Sequence, residues 1–338
     1  MIYVKNLFYE KYKNKIKEDE KRVRLNIKQH YVQIYKGKLF KKVNIQKELD
    51  QSIKLEYQSI KTRFPKIIVF DLDETLGSFS DMETLWSGLN QYIKINNSSG
   101  ELLQQYAFNQ LMDIYPEFLR TGILEILSFI VGKKRLNECF RLYIYTNNQC
   151  EPSWTNLISK YISSKFEIDN NINIFERNIC AFKSNDKIVE PRRTTHEKTF
   201  NDFIHCTMLS KNIELCFIDN TFFDKMKHDK VYYIQPRAYY HGLTYKIMME
   251  RFVNTSIFTE YISPFQSSSD FYEFIYNWFQ MKCAKLFTKI KVEHEYAADL
   301  IVHQKMMYHI KEFFYMSTRN TYTKRVKYNV GRFTKKNR

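Results

Sequence analysis

Ile67-Ile68-Val69-Phe70-Asp71-Leu72-Asp73-Glu74-Thr75-Leu76 is the most informative run in this 338-residue chain. Four consecutive apolar residues predict a buried strand, and two aspartates spaced i, i+2 follow it. Side chains alternate faces along an extended strand, so carboxylates two apart point to the same side. At the C-terminal end of a parallel strand they would meet at the edge where open α/β sheets place their ligands. Carboxylates this close do not both stay ionised cheaply unless a cation lies between them or one keeps a proton. A metal-assisted pair uses that arrangement, one carboxylate as nucleophile and the other as acid and base. A plain strand-to-turn junction also fits Asp-x-Asp, because Asp favours turns.

Further apolar runs repeat the pattern. Leu142–Tyr145 is followed by Thr146-Asn147-Asn148-Gln149, Leu215–Ile218 ends in Asp219-Asn220, and Val231–Ile234 gives a fourth strand. The polar stretch 165–195 holds a possible short strand at Ile179–Phe182. Between the strands, helix-like spacing covers 78–100, 101–115, 118–131, the region of Trp154–Tyr161, and His196–Met208, which has Lys198 in its first turn. Strands alternating with helices predict an α/β fold, a Rossmann-like parallel sheet with helices on both faces. Right-handed crossovers would bring Asp71 and Asp73, Thr146, and Asp219 and Asn220 to one edge. Simpler readings exist for two of these: Thr146 as a capping turn and Lys198 as a solvated side chain.

Composition supports a large core: hydrophobic residues are 44% and aromatics 16%, with 27 Phe and 25 Tyr. Only 8 glycines are present, and no Gly-rich phosphate loop occurs. The formal charge of +16 is uneven. Residues 1–66 carry 18 Lys/Arg against 7 Asp/Glu, and residues 317–338 carry 8 Lys/Arg and no acid, whereas 67–316 has 27 against 30. Basic ends on a near-neutral body suggest polyanion partners, nucleic acid among them, or a merely solvated arm. The six cysteines form no Cys-x-x-Cys pair and no zinc spacing, so reduced thiols are expected. No 18-residue apolar run and no secretory signal is seen, so neither a membrane span nor secretion is expected.

The resulting division is a basic, solvated and partly helical arm at 1–63, an α/β domain at 64–243, a helical appendage at 244–316 and a basic tail at 317–338. In the appendage, Phe271, Phe274, Ile275, Trp278 and Phe279 follow the i, i+3, i+4 spacing of an amphipathic helix, for which core or interface packing is the default.

The ordered set resembles the haloacid dehalogenase superfamily of phosphatases. It is most similar to the NLI-interacting-factor-like branch, which includes the small phosphatases of the RNA polymerase II C-terminal domain. Asp71-Leu72-Asp73-Glu74-Thr75-Leu76 matches the first motif of that branch, Leu142–Asn147 is similar to its second, and Phe217-Ile218-Asp219-Asn220 to its fourth. Tyr115-Pro116-Glu117-Phe118-Leu119-Arg120 and Tyr145–Gln149 look most like versions encoded by large DNA viruses. Thr121, where the branch has Pro, and Asn220-Thr221, where Ser-Pro follows Asp-Asn, depart from the pattern.

The resemblance implies a Mg²⁺-dependent phosphoric monoester hydrolase of the cytoplasm or nucleus, in a host cell if viral. Asp71 would be the nucleophile and Asp73 the acid and base, with Thr146 and Lys198 on the phosphoryl oxygens. Thr75 and Asn147 join the expected substrate-binding residues. Arg192 and Arg193 rival Lys198 for the cationic role. Asp71, Asp73, Asp219 and Asn220 would form the metal set. A phosphoprotein substrate is implied. The alternatives are a nucleic-acid end phosphatase, favoured by the basic ends, and a non-catalytic nucleic-acid-binding or virion protein that keeps the fold.

Overall fold

The structure is a computed structural model and describes residues 31–40, 64–96, 102–166, 173–184, 186–262, 268–282 and 291–316. Cys283 and the 317–338 tail lie outside these residues, as does most of the 1–63 arm.

Strand β2 (Lys66–Phe70) stands at the centre of a sheet ordered β1-β8-β7-β2-β3-β4. It runs parallel to β3 (Arg141–Tyr145) on one side and to β7 (Glu214–Ile218) on the other. Strands β4 (Arg177–Ile179) and β8 (Val231–Pro236) extend the parallel set outward. All five residues of β2 and of β7 are buried, which is why these strands read as continuous apolar runs rather than alternating ones. The expected strands are therefore present, although β4 begins two residues before the run at Ile179–Phe182. A separate hairpin, β5 (Lys183–Ser184) with β6 (Lys187–Ile188), follows it.

The outermost strand was not expected. β1 (Val32–Lys36) lies within the segment read as a solvated arm, yet it pairs antiparallel with β8, Val32 opposite Pro236 and Ile34 opposite Ile234. Val32 and Ile34 pack against the core, and Lys36 donates to Glu312 at 2.8 Å. Apolar residues on alternate positions make this strand, and the surrounding lysines hide it in a composition count.

The sheet's two faces are covered unequally. Ile67, Val69, Tyr143, Tyr145, Leu215 and Phe217 face a small cluster closed by Phe200, Phe203, Ile204 and Cys206 of α5 (Phe200–Thr207). Ile68, Phe70, Leu142, Ile144, Cys216 and Ile218 face the larger core. That core is covered by α1 (Ser80–Asn96), α2 (Gln105–Ile114), α3 (Ile123–Arg135) and α4 (Pro152–Ser164).

The region read as an appendage is part of the same core. Buried residues of α6 (Tyr245–Phe252), α7 (Ser256–Tyr261), α8 (Ser268–Lys282) and α9 (Glu293–Tyr315) join the large cluster. Phe313 of α9 meets Phe40 at 5.7 Å and Tyr232 of β8 at 6.1 Å between ring centroids. Helix α8 lies against α1, with Phe271 edge-on to Tyr92 and the Trp278 indole donating to Ser87 at 3.2 Å. Gly88 permits this approach, since a Cβ there would lie 2.8 Å from the Trp278 ring. The apolar stripe of α8 is thus interior packing, and 244–316 is not a separable body.

Helix α5 is shorter than its apolar spacing predicts. It begins at Phe200 because Thr199 caps it, its hydroxyl accepting the Asp202 N–H at 2.9 Å from an extended backbone. Lys198 therefore precedes the helix, next to the extended Thr199, instead of lying in its first turn. Four of the five described cysteines are buried and all five are free, Cys150 being half-buried. No helix among the described residues is long and apolar enough to cross a membrane.

Candidate active site

Sheet hydrogen bonding continues past the strand ends and fixes the residues beyond them. The Asp71 N–H donates to the Ile218 carbonyl at 2.8 Å, the Thr146 N–H to Ile179 at 2.9 Å and the Asp219 N–H to Ile234 at 3.1 Å. Asp71, Thr146 and Asp219 therefore sit side by side at the C-terminal edge of the sheet, as the crossover argument expects.

The chain turns sharply after Asp73. Glu74 takes the left-handed conformation at φ 58°, and Asp73 bridges to Gly77. A Cβ on Gly77 would fall 2.3 Å from the Phe118 carbonyl oxygen, so only glycine fits that close approach. Buried Arg120 anchors the turn. Its guanidinium donates to the carbonyls of Thr75 at 2.5 Å, of Arg237 at 2.9 Å, and of Glu74. Fully buried Thr75 joins the first loop to the third, its hydroxyl donating to Asn220 Oδ1 at 2.8 Å and accepting the Asn220 N–H at 3.0 Å.

Lys198 reaches the centre of this edge, 127 residues along the chain from Asp71. Its ammonium donates to Asp71 Oδ1 at 2.5 Å and to Asp219 Oδ2 at 2.7 Å. Only 1% of the residue is exposed. Burial works against the ammonium, but Asp219 and Asp71 outweigh it and raise its pKa, so Lys198 stays charged. Asp219 is raised by burial and by the Asp71 charge, with Lys198 opposing, and its Oδ1 also accepts the Thr221 N–H at 2.8 Å.

Asp73 differs from its neighbour. Burial pushes its pKa up to about 6, Asn148 opposes the rise through a 2.8 Å hydrogen bond to Oδ2, and the Asp71 charge adds to it. The i, i+2 aspartates are thus chemically distinct: Asp71 is held by an ammonium, and Asp73 holds a proton in the weakly acidic range.

The remaining expected residues divide clearly. Thr146 is buried and its hydroxyl accepts the Asn148 N–H at 2.9 Å. Asn147 accepts from Arg193 at 2.7 Å. Arg193 itself is buried and also donates to the carbonyls of Thr146 (3.0 Å), Cys180 (2.8 Å) and His196 (3.0 Å). It braces the β3 tip, while Arg192 is exposed. Of the three rival cations, Lys198 is the one bonded to Asp71. Asn148 fixes Asp73, a role beyond the site residues that the sequence predicts. The available signal was its i, i+2 spacing from Thr146, which lets the hydroxyl turn it toward the first loop.

No group of three or more His, Cys, Asp or Glu side chains able to hold a metal occurs among the described residues. The expected metal set is of another kind: carboxylates of Asp71 and Asp219, the Asp73 carbonyl and the Asn220 amide oxygen. All are hard oxygen donors, the type Mg²⁺ selects. Asp71, Asp73 and Asp219 share one ammonium, and this excess negative charge contributes to the raised pKa of both Asp73 and Asp219. A divalent cation would relieve that excess, so the residues fit such an ion. Asp219 has Lys198 and the Thr221 N–H on its two oxygens and Asn220 Oδ1 accepts the Thr75 hydroxyl, so the two are equally placed to join Asp71 as side-chain ligands.

A groove of about 430 Å³ opens beside Asn148, between the start of α1, the turn after β3 and the β5–β6 hairpin. No family model, curated protein or solved structure matches the chain.

Proposed function

We propose that the protein is a Mg²⁺-dependent phosphatase of the haloacid dehalogenase type, working through an aspartyl-phosphate. The observation that carries this is the asymmetric edge: Asp71 and Asp219 bridged by the Lys198 ammonium, with Asp73, raised by burial to about 6, two residues from Asp71. The resemblance of Asp71–Leu76 and Phe217–Asn220 to the motifs of that superfamily supports the same reading.

A phosphate monoester is an anion that hydrolyses slowly, so catalysis needs charge neutralisation and in-line positioning. Lys198 occupies Asp71 Oδ1, so Oδ2 is the oxygen to attack phosphorus. As the phosphorus–oxygen bond to the leaving group breaks, Asp73 gives its proton to the departing oxygen, releasing an alcohol. Asp73, now a carboxylate, takes a proton from water. The water oxygen bonds to phosphorus, the bond to Asp71 breaks, and inorganic phosphate leaves with Asp71 and Asp73 restored. Lys198 and the Thr146 hydroxyl neutralise and orient the phosphoryl oxygens. Mg²⁺ on Asp71, the Asp73 carbonyl and Asn220 or Asp219 would supply further charge neutralisation.

The test is hydrolysis of p-nitrophenyl phosphate with and without Mg²⁺. Turnover that needs the ion and drops by about 10³-fold or more in Asp71→Asn is expected, since the nucleophile and its unit act together. Beryllofluoride should attach to Asp71 in the wild type. A wild-type chain with no turnover and no beryllofluoride adduct would overturn the proposal.

A further inference from the structure

We infer that the groove beside Asp73 receives the leaving group and selects phosphorylated serine or threonine peptides with arginine or lysine next to the modified residue. The inference rests on the phosphatase reading above and names its substrate class.

Asn148 connects the two places, since it donates to Asp73 Oδ2 at 2.8 Å and also lines the groove. If Asp73 protonates the departing oxygen, the group attached to that oxygen leaves on this side. The other lining residues are Glu83, Gln149, Cys150, Glu151 and Ser184. Glu83 comes from the first turn of α1 and Glu151 from the residue before α4, so two separate elements each present a carboxylate. The Ser184 hydroxyl donates to the Gln149 carbonyl and ties the hairpin to the β3 turn. Burial and the neighbouring Glu83 push the Cys150 thiol up, so it adds no charge to the groove.

Among the described residues, no lysine, arginine or aromatic ring lines the groove. On the hairpin, Lys183 lies over the Phe182 ring at 5.4 Å and Lys187 is exposed, and neither lines the groove. A nucleic-acid end would bring its next phosphate against two carboxylates and find no ring on which a base could stack. A guanidinium or ammonium beside the phosphorylated residue meets opposite charge instead.

The experiment compares kcat/KM on peptides of matched length, each with one phosphoserine flanked by Arg, Ala or Glu, and on a 5′-phosphorylated oligonucleotide. p-Nitrophenyl phosphate serves as the reference substrate. The Arg peptide should exceed the Glu peptide by about tenfold at low salt, as expected for two partly screened ion pairs, and the ratio should shrink in high salt. In Glu83→Lys/Glu151→Lys the order of the Arg and Glu peptides should invert. A flat or reversed order in the wild type, or faster release from the oligonucleotide, with p-nitrophenyl phosphate still hydrolysed, overturns the inference alone. Failure to hydrolyse p-nitrophenyl phosphate overturns the phosphatase reading and this inference with it.

Discussion

Asp73 couples the chemistry of the site to the stability of the chain. Its carboxyl holds a proton up to about pH 6 in the folded state, against an ordinary value of 3.8. Between these values the folded chain binds more protons than the unfolded one. Asp73's contribution is therefore most favourable below about pH 4 and is lost as the pH rises through 6. Asp73→Asn removes the charge, so in chelating buffer at pH 7.5 it should stabilise the fold by roughly 1–3 kcal/mol while removing turnover of alkyl phosphates. At pH 4 the gain should vanish, and thermal melts at the two pH values check this. The aspartate pair itself was legible from its spacing. The resemblance implies its division of roles, but not the contacts that accompany it, because the Lys198 bridge and the Asn148 bond come from distant chain.

Thr199 shows how one cap bears on the position of a buried lysine in the proposed site. Had α5 begun at His196, as the apolar spacing suggests, Lys198 would have sat on a helix. The Thr199 hydroxyl instead starts the helix at Phe200, leaving Lys198 ahead of it, bonded to Asp71 and Asp219. Thr199→Ala should cost about 1 kcal/mol by the loss of the cap. It should also lower kcat for p-nitrophenyl phosphate, and Thr199→Ser should restore both. Urea titrations with steady-state kinetics would separate the two effects. An unchanged kcat in Thr199→Ala would mean that Lys198 is held by its ion pairs alone. Arg120 plays a comparable part for the first loop: it takes up three backbone carbonyls that would otherwise lose their partners around the left-handed Glu74.

At the scale of the whole molecule, the last described helix ends at the edge of the sheet opposite the site. Lys66 and Glu214, paired at 2.6 Å, begin β2 and β7, and Lys66 also donates to the carbonyls of Phe313 (2.7 Å) and Met316 (3.0 Å). Helix α9 therefore ends at the N-terminal edge of the sheet, while Asp71 and Asp219 lie beyond the C-terminal edge. A five-residue strand separates the two edges, or roughly 16 Å at the usual rise per residue. Deleting 317–338, with its 8 cations, should leave kcat/KM for p-nitrophenyl phosphate within about twofold. It should weaken nucleic-acid binding and flatten its salt dependence. Collapse of turnover in that truncation would show the tail to be structural.

At this scale the division between local and long-range information is clearest. The central strands, the kind of residue at each strand tip and the α/β class follow from local pattern, because a strand buried on both faces must be apolar along its length and polar residues must end it. Strand β1, the incorporation of α6–α9 into the core and the choice of Lys198 over Arg192 and Arg193 came only with the tertiary structure. Each depends on contacts between residues far apart in the chain, such as the 127 positions from Asp71 to Lys198. An edge strand takes its partner from the free edge of β8, an apolar helix face can cover any sheet that reaches it, and a lysine becomes part of a site only when folding removes it from water beside a carboxylate.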